Sequence, residues 1–390
     1  MKMISHLSVL TAGLFLAANL GAQPVLKAVF QNDFLIGAAL NPAQFCESNT
    51  MEAALVKRQF NTISPENVLK WEWVHPELGR FDFTLADRYV GFGETNGMVV
   101  IGHTLVWHSQ TPDWVFQDGQ GKTLTRDALL TRMHEHILAV VGRYKGRIKA
   151  WDVVNEAVAE DGSLRPTPWL KIIGEDYLVK AFQFAHEADP QAELNYNDYG
   201  LENAEKRAGA VALVKKLQAA GVPLNGVGLQ GHYKLKGTVP SPAEVDAAIA
   251  DFAKLGLKVM ITELDVDVLP AARESLSADV NDRRQADARM NPFPQHLPMS
   301  LQKKLAARYA ELFAVFLNHR SDITRVTFWG VTDADSWLND WPVSGRTSSP
   351  LLFDREGKPK PALLSVISLA QKSARATDRV LADSVLPAAK

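Results

Sequence analysis

Ile148-Lys149-Ala150-Trp151-Asp152-Val153-Val154-Asn155-Glu156 is the stretch on which the fold reading turns. A short run rich in β-branched and aromatic residues, Ile148–Val154, stops abruptly at two polar side chains. Helical patterning, with apolar residues recurring every three to four positions, precedes it over Arg126–Tyr144 and follows it over Tyr177–Ala188. One strand between two helices is the unit of a parallel sheet, and working outward the same unit recurs. Further short runs are Leu35–Leu40, Asn61–Ser64, Val99–Thr104, Glu193–Asn197, Gly226–Gln230, Val259–Thr262 and Val326–Trp329. Further helical patterns are Ala204–Ala220, Ser241–Leu255 and Leu301–His319.

Eight strands alternating with helices, with no low-complexity linker between them, predict an α/β fold: a (β/α)8 TIM barrel forming a single domain over about residues 24–374. A doubly wound open sheet is the alternative. It would need a glycine-rich phosphate loop after an early strand, and neither GxGxxG nor GxxxxGK[ST] occurs. Two stretches break the rhythm. Residues 268–299 hold Pro270, Pro292, Pro294 and Pro298 and read as a long surface loop after the seventh run. Residues 375–390 read as a poorly ordered tail, or at most a remnant of helix.

Composition narrows the function. The 390 residues carry a net charge of −2 and no basic block, which argues against nucleic acid as a partner. Hydrophobic residues make up 46%, enough for a large core. The only cysteine is Cys46, so neither an intramolecular disulfide nor a CxxC site is possible. Nine tryptophans in a near-neutral chain suit a neutral polysaccharide, because indole rings pack on the flat apolar faces of sugars. Residues 1–22 read as a signal peptide: Lys2 is followed by the apolar run Leu7–Ala18, and Ala22 is the candidate last residue of the signal. The expected location is secreted or periplasmic, with no membrane association after cleavage. No later run reaches the roughly 18 apolar residues a membrane span requires.

Each apolar run ends in an unusual cluster. The second leads into Ser64-Pro65-Glu66-Asn67 and Lys70-Trp71, and the third into His103-Thr104-Leu105-Val106-Trp107-His108. The fourth ends at Asn155-Glu156, the sixth at Gln230-Gly231-His232, the seventh at Thr262-Glu263-Leu264-Asp265, and the eighth at Trp329, ahead of Asp333-Ala334-Asp335-Ser336-Trp337. A lone carboxylate after a strand is more often a helix cap or an ion-pair partner. Clusters at six strand ends are not explained by capping, and in a barrel those ends share the face on which sites are built. Glu156 and Glu263 each follow a strand directly, and paired carboxyl groups are what glycosidic bond cleavage uses: about 5–5.5 Å apart for retention, about 6.5–9.5 Å for inversion.

These motifs resemble glycoside hydrolase family 10, the endo-β-1,4-xylanases, over about residues 33–370. The resemblance implies an enzyme that cuts xylan and xylo-oligosaccharides with retention, working as a monomer with no cofactor and no metal. It implies Glu156 as acid/base and Glu263 as nucleophile, with His232 bonded to Glu263 and oriented by Asp265. Asn155 would bind the 2-hydroxyl of the sugar next to the cut. Glu66, Asn67, Lys70, His103, Gln110 and Gln230 would make further polar contacts on the non-reducing side. Trp107, Trp329 and Trp337 would form aromatic walls, and Tyr199 would stack on a sugar beyond the cut. A cis peptide is implied between His103 and Thr104. Gly200 stands where many relatives carry Asn, and the loop after the seventh run is longer than in compact relatives.

Rival readings remain open at this level. A glucan hydrolase would keep both glutamates, although the Glu66-Asn67 and Lys70 set and Trp337, placed to crowd a glucose hydroxymethyl, favour xylan. A sugar-binding barrel without activity would lack one glutamate. A metalloenzyme would show HExxH or paired histidines, and neither occurs. If the leader reading is right, intact-mass measurement of protein exported from a Gram-negative host will lack residues 1 to about 22. Retention of Met1 would oppose it.

Overall fold

The computed structural model describes residues 25–237, 239–270, 288–339 and 341–385. The proposed leader, 271–287 within the expected long loop, and 386–390 lie outside the described residues. Among the described residues nine strands form: β1 Leu35–Leu40, β2 Thr62–Pro65, β3 Val99–Val106, β4 Ala150–Asn155, β5 Glu193–Asp198, β6 Gly226–Leu229, β7 His232–Lys234, β8 Lys258–Asp267 and β9 Ile323–Phe328. Their order is β6-β5-β4-β3-β2-β1-β9-β8-β7, and β6 also pairs with β8. That last pairing closes an eight-stranded ring of parallel strands, the expected (β/α)8 barrel.

Six of the eight runs were located to within one or two residues, and β9 begins three residues before the run expected at Val326–Trp329. The largest difference is at β8, expected over Val259–Thr262 but continuing to Asp267. The extension pairs with β7, which the sequence did not reveal: His232 lies opposite Asp265, Tyr233 opposite Val266 and Lys234 opposite Asp267. The reason is physical. Leu264 and Val266 are buried, so the strand gains by continuing, and β7 covers an edge that the ring leaves open. Register irregularities fall at His103/Val106, Asp152/Val154 and Ile261/Leu264. A fourth falls at Val259/Met260, near the start of β8; shifts of this kind are what bulges produce.

The helices start where local chemistry predicts. Thr125 caps Arg126–Arg143, Thr167 caps Pro168–Ile173, and Ser241 and Glu244 form a capping box on Pro242–Ala253. Leu129, Met133, His136, Ile137, Val140 and Val141 are the buried stripe of the first of these. The last helix runs Pro361–Val385, so 375–385 takes the helical form of the two readings offered for the tail; the chain contains no glycine or proline to stop it before Pro387. Among the described residues, no helix is long and apolar enough to cross a membrane, and no three or more His, Cys, Asp or Glu side chains cluster as a metal site would require.

Trp151 on β4 lies wholly inside, beside Gly102 on β3 in the parallel register. The indole fits only because Gly102 has no side chain: a Cβ there would stand 2.1 Å from the ring. Gly102→Ala is therefore expected to destabilise the protein by about 1–3 kcal/mol through overpacking. Chemical denaturation should show a lower midpoint at unchanged m. An unchanged midpoint would mean that the ring can shift at no cost.

Candidate active site

The strand-end clusters singled out from sequence lie at the C-terminal ends of parallel strands in one closed barrel, and two small networks organise the residues around Glu263 and Glu156. The first surrounds Glu263. Its Oε1 accepts 2.8 Å from Asn197 Nδ2, and its Oε2 accepts 3.1 Å from His232 Nε2. His232 Nδ1 donates 3.0 Å to Asp265 Oδ2, an oxygen that also accepts from Trp337 Nε1 at 2.7 Å. Burial alone would push the imidazole down; the fields and hydrogen bonds of Asp265 and Glu263 win and raise it to about 10. His232 is thus an imidazolium at neutral pH, donating from both ring nitrogens. Burial would likewise raise Glu263, but the hydrogen bond from His232, the positive fields of His103 and His232, and the Asn197 amide hold it below the usual carboxylate range. Glu263 is built to stay ionised.

The second network surrounds Glu156. Gln230 Nε2 donates 2.9 Å to its Oε1, Asn155 Nδ2 approaches the same oxygen at 3.3 Å, and Trp107 Nε1 donates 2.9 Å to Oε2. Glu156 itself has φ of +58°, the left-handed region that few non-glycine residues occupy. This turns its side chain into the mouth directly after β4 ends. Its backbone N–H is satisfied by the Asn197 carbonyl at 2.9 Å.

The networks meet at Asn197. Its second amide hydrogen goes to Asn155 Oδ1 at 2.9 Å, and its own Oδ1 accepts from Thr262 Oγ1 at 2.6 Å. Sequence reasoning placed Asn197 at the end of a strand but gave it no role. Its signal was available: a polar side chain closing an apolar run, like the residues at the other strand ends.

The remaining expected residues also fall at this mouth. Lys70 Nζ donates 2.7 Å to Gln110 Oε1 and 3.1 Å to Asn67 Oδ1, and lies 4.9 Å from the centre of the Trp107 ring. Burial lowers it to about 8 against the attraction of Glu263, Glu66, Glu156 and Glu72. Burial raises Glu66 to about 8 against the attraction of Lys70. His103 Nδ1 donates 3.1 Å to Asp152 Oδ2, and the peptide between His103 and Thr104 is cis. Trp329 stands edge-on to His103 and His232. Trp337 is stacked on Trp341 with ring centres 4.6 Å apart. Trp341 was not among the predicted site residues, and neither was Arg165, whose guanidinium bonds the Tyr199 hydroxyl at 2.9 Å. Lys206 Nζ lies 3.4 Å from the centre of the Tyr199 ring, so one face of that ring is covered by a cation.

A buried carboxylate held ionised, a second carboxyl ringed by donors, and aromatic rings near them thus share one end of the barrel. Comparison with known proteins identifies the family. The model of glycosyl hydrolase family 10 matches residues 25–369. The endo-1,4-beta-xylanase of Geobacillus stearothermophilus is 44% identical over 352 residues, covering 89% of this chain and 98% of that one. Endo-1,4-beta-xylanase A of Xylanibacter ruminicola is 42% identical over 354 residues, covering 91% and 95%. Among solved structures, a family 10 endoxylanase retrieved from a sugarcane soil metagenome superposes with a TM-score of 0.84 at 45% identity, covering 88% of this chain and 99% of that one. Likeness of this extent, over barrel and motifs alike, establishes that the chain belongs to glycosyl hydrolase family 10.

Proposed function

We propose that this protein is an endo-1,4-β-xylanase that hydrolyses internal β-1,4-xylosidic bonds of xylan with net retention, Glu263 acting as nucleophile and Glu156 as acid/base. The observation that carries the assignment is the asymmetry between the two carboxyl groups. Glu263 sits against an imidazolium and an amide, the environment of a group that must be charged when substrate arrives. In the first step a Glu263 oxygen bonds to the anomeric carbon as the bond to the leaving sugar breaks, and Glu156 gives its proton to the departing oxygen. In the second, a water oxygen bonds to the same carbon from the opposite face, Glu156 takes the proton, and Glu263 leaves as carboxylate. Two inversions give retention. As Glu263 becomes an ester it loses its charge, and Asp265 keeps the His232 imidazolium paired.

Xylan rather than glucan is favoured by Trp337, fixed by its bond to Asp265 and its stack on Trp341, where a hydroxymethyl group would need room. The relatives named as xylanases support the same substrate. Asn155, held by Asn197, would bind the 2-hydroxyl, with Lys70, Asn67, Gln110 and His103 on the non-reducing side. The leader-like residues 1–22 support export to the periplasm or beyond, and a monomer suffices, since every proposed site residue comes from one chain.

Proton NMR of early hydrolysis products should show the β-anomer first; the α-anomer first would sink the retaining mechanism. The roles separate in variants. Glu263→Ala should lose turnover on every substrate. Glu156→Ala should still form the glycosyl-enzyme from an aryl xyloside with a good leaving group, and added azide should restore turnover and yield the β-glycosyl azide. Azide giving the β-product from Glu263→Ala instead would reverse the assignment.

A further inference from the structure

The loop following β4 carries an arginine that the mechanism leaves unused. Glu156 must be held in the left-handed region, and its backbone is gripped from both sides. Its N–H goes to the Asn197 carbonyl, and its carbonyl accepts from Arg165 Nε at 3.0 Å. The same guanidinium donates from Nη2 to the Val158 carbonyl at 3.1 Å and to the Tyr199 hydroxyl at 2.9 Å. Arg165 is nearly buried, its side chain 12% exposed, with the Glu160 carboxylate 3.6 Å away. The backbone between makes a small hairpin: Arg165 N–H bonds the Ala157 carbonyl, Ala159 N–H bonds the Ser163 carbonyl, and Val158 bridges Leu164 antiparallel. Tyr199 is anchored in turn by Glu160 on its hydroxyl and by Lys206 on its ring, and Lys206 is paired with Asp198 at 3.1 Å.

A planar fork thus joins the backbone of Glu156 to the hydroxyl of Tyr199. A lysine could reach one of these acceptors but could not hold all three, because its donors spread from a single point. We propose that Arg165 is a positioning residue for general acid catalysis: it fixes the Glu156 backbone so that the carboxyl meets the glycosidic oxygen, and ties that placement to the Tyr199 wall. The inference rests on Glu156 being the acid/base. A clamp that merely kept the loop folded would affect all substrates alike. A clamp that places the proton donor matters only where the leaving group needs a proton.

The test is kcat/KM, which reports glycosylation, for Arg165→Met and Arg165→Lys across aryl β-xylobiosides from dinitrophenyl to phenyl, with Glu156→Ala in parallel. For Arg165→Met the dinitrophenyl substrate should stay within about twofold of wild type, while the phenyl substrate should lose roughly 10- to 100-fold with KM little changed, the scale of a misplaced general acid. Arg165→Lys should fall between, and it carries the comparison if the methionine variant does not fold. A loss equal for all leaving groups, or no loss, overturns the proposal while a graded loss in Glu156→Ala leaves the assignment of that residue standing. A flat profile in Glu156→Ala overturns both.

Discussion

The side-chain amide of Asn197 gives one hydrogen to Asn155 and the other to Glu263, while Thr262 fixes which way round it sits. The amide therefore couples the end of β4 to β8 across the end of β5, and it can do so only because ring closure has brought those strands round one mouth. Gly228 on β6 leaves the space it occupies: a Cβ there would lie 2.2 Å from the Asn197 oxygen. The two carboxyl groups are thus placed relative to each other by a short chain of hydrogen bonds inside a rigid wall of strands. Placement of this kind, with side chains locked by partners that are themselves locked, is what lets a site hold reacting groups near their working geometry.

Around that centre the protein tolerates an unusual density of buried charge. Asp152 is bonded to His103 and lies 3.6 Å from Arg325; Asp333 pairs with Lys360 at 2.8 Å, Asp267 with Arg346 at 2.9 Å and Asp198 with Lys206 at 3.1 Å. Removing such charges from water costs several kcal/mol per ion unless each is matched. Three of the matched pairs pin the stretches after β5, β8 and β9. Charge is matched within the site as well. His232 is charged because two carboxylates face it, and Glu263 stays ionised because His232 is charged.

The fold was legible in particular residues. Ile148–Val154 stopping at Asn155-Glu156 announced a strand with a polar end, and short apolar runs at seven other places gave the barrel. The capping residues Thr125, Thr167 and Ser241 marked helix starts in the sequence itself. Where the reading fell short, the missing information was not local. β7 exists because β8 runs on past Glu263 and offers an edge, and nothing in Gly231-His232-Tyr233 announces that edge. Trp107 looked like a wall for sugar; the structure also gives its indole N–H to Glu156. Helix Pro361–Val385 outran the expected boundary because Ala-rich, charged composition suits a helix as well as a loose tail.

The sequence by itself determined the period of the strands and helices, the order of polar clusters at their ends, and the place of Glu156 and Glu263 directly after a strand, because these depend on side-chain type and spacing along one chain. Only the tertiary structure decided that Asn197 bridges them, that His232 carries a charge, that Arg165 grips the carbonyl of Glu156, and that Glu156 sits in a left-handed backbone. Each of those depends on what burial and ring closure bring within hydrogen-bond reach from distant parts of the chain, and a hydrogen bond or a desolvated charge is set by ångströms in space rather than by separation in sequence.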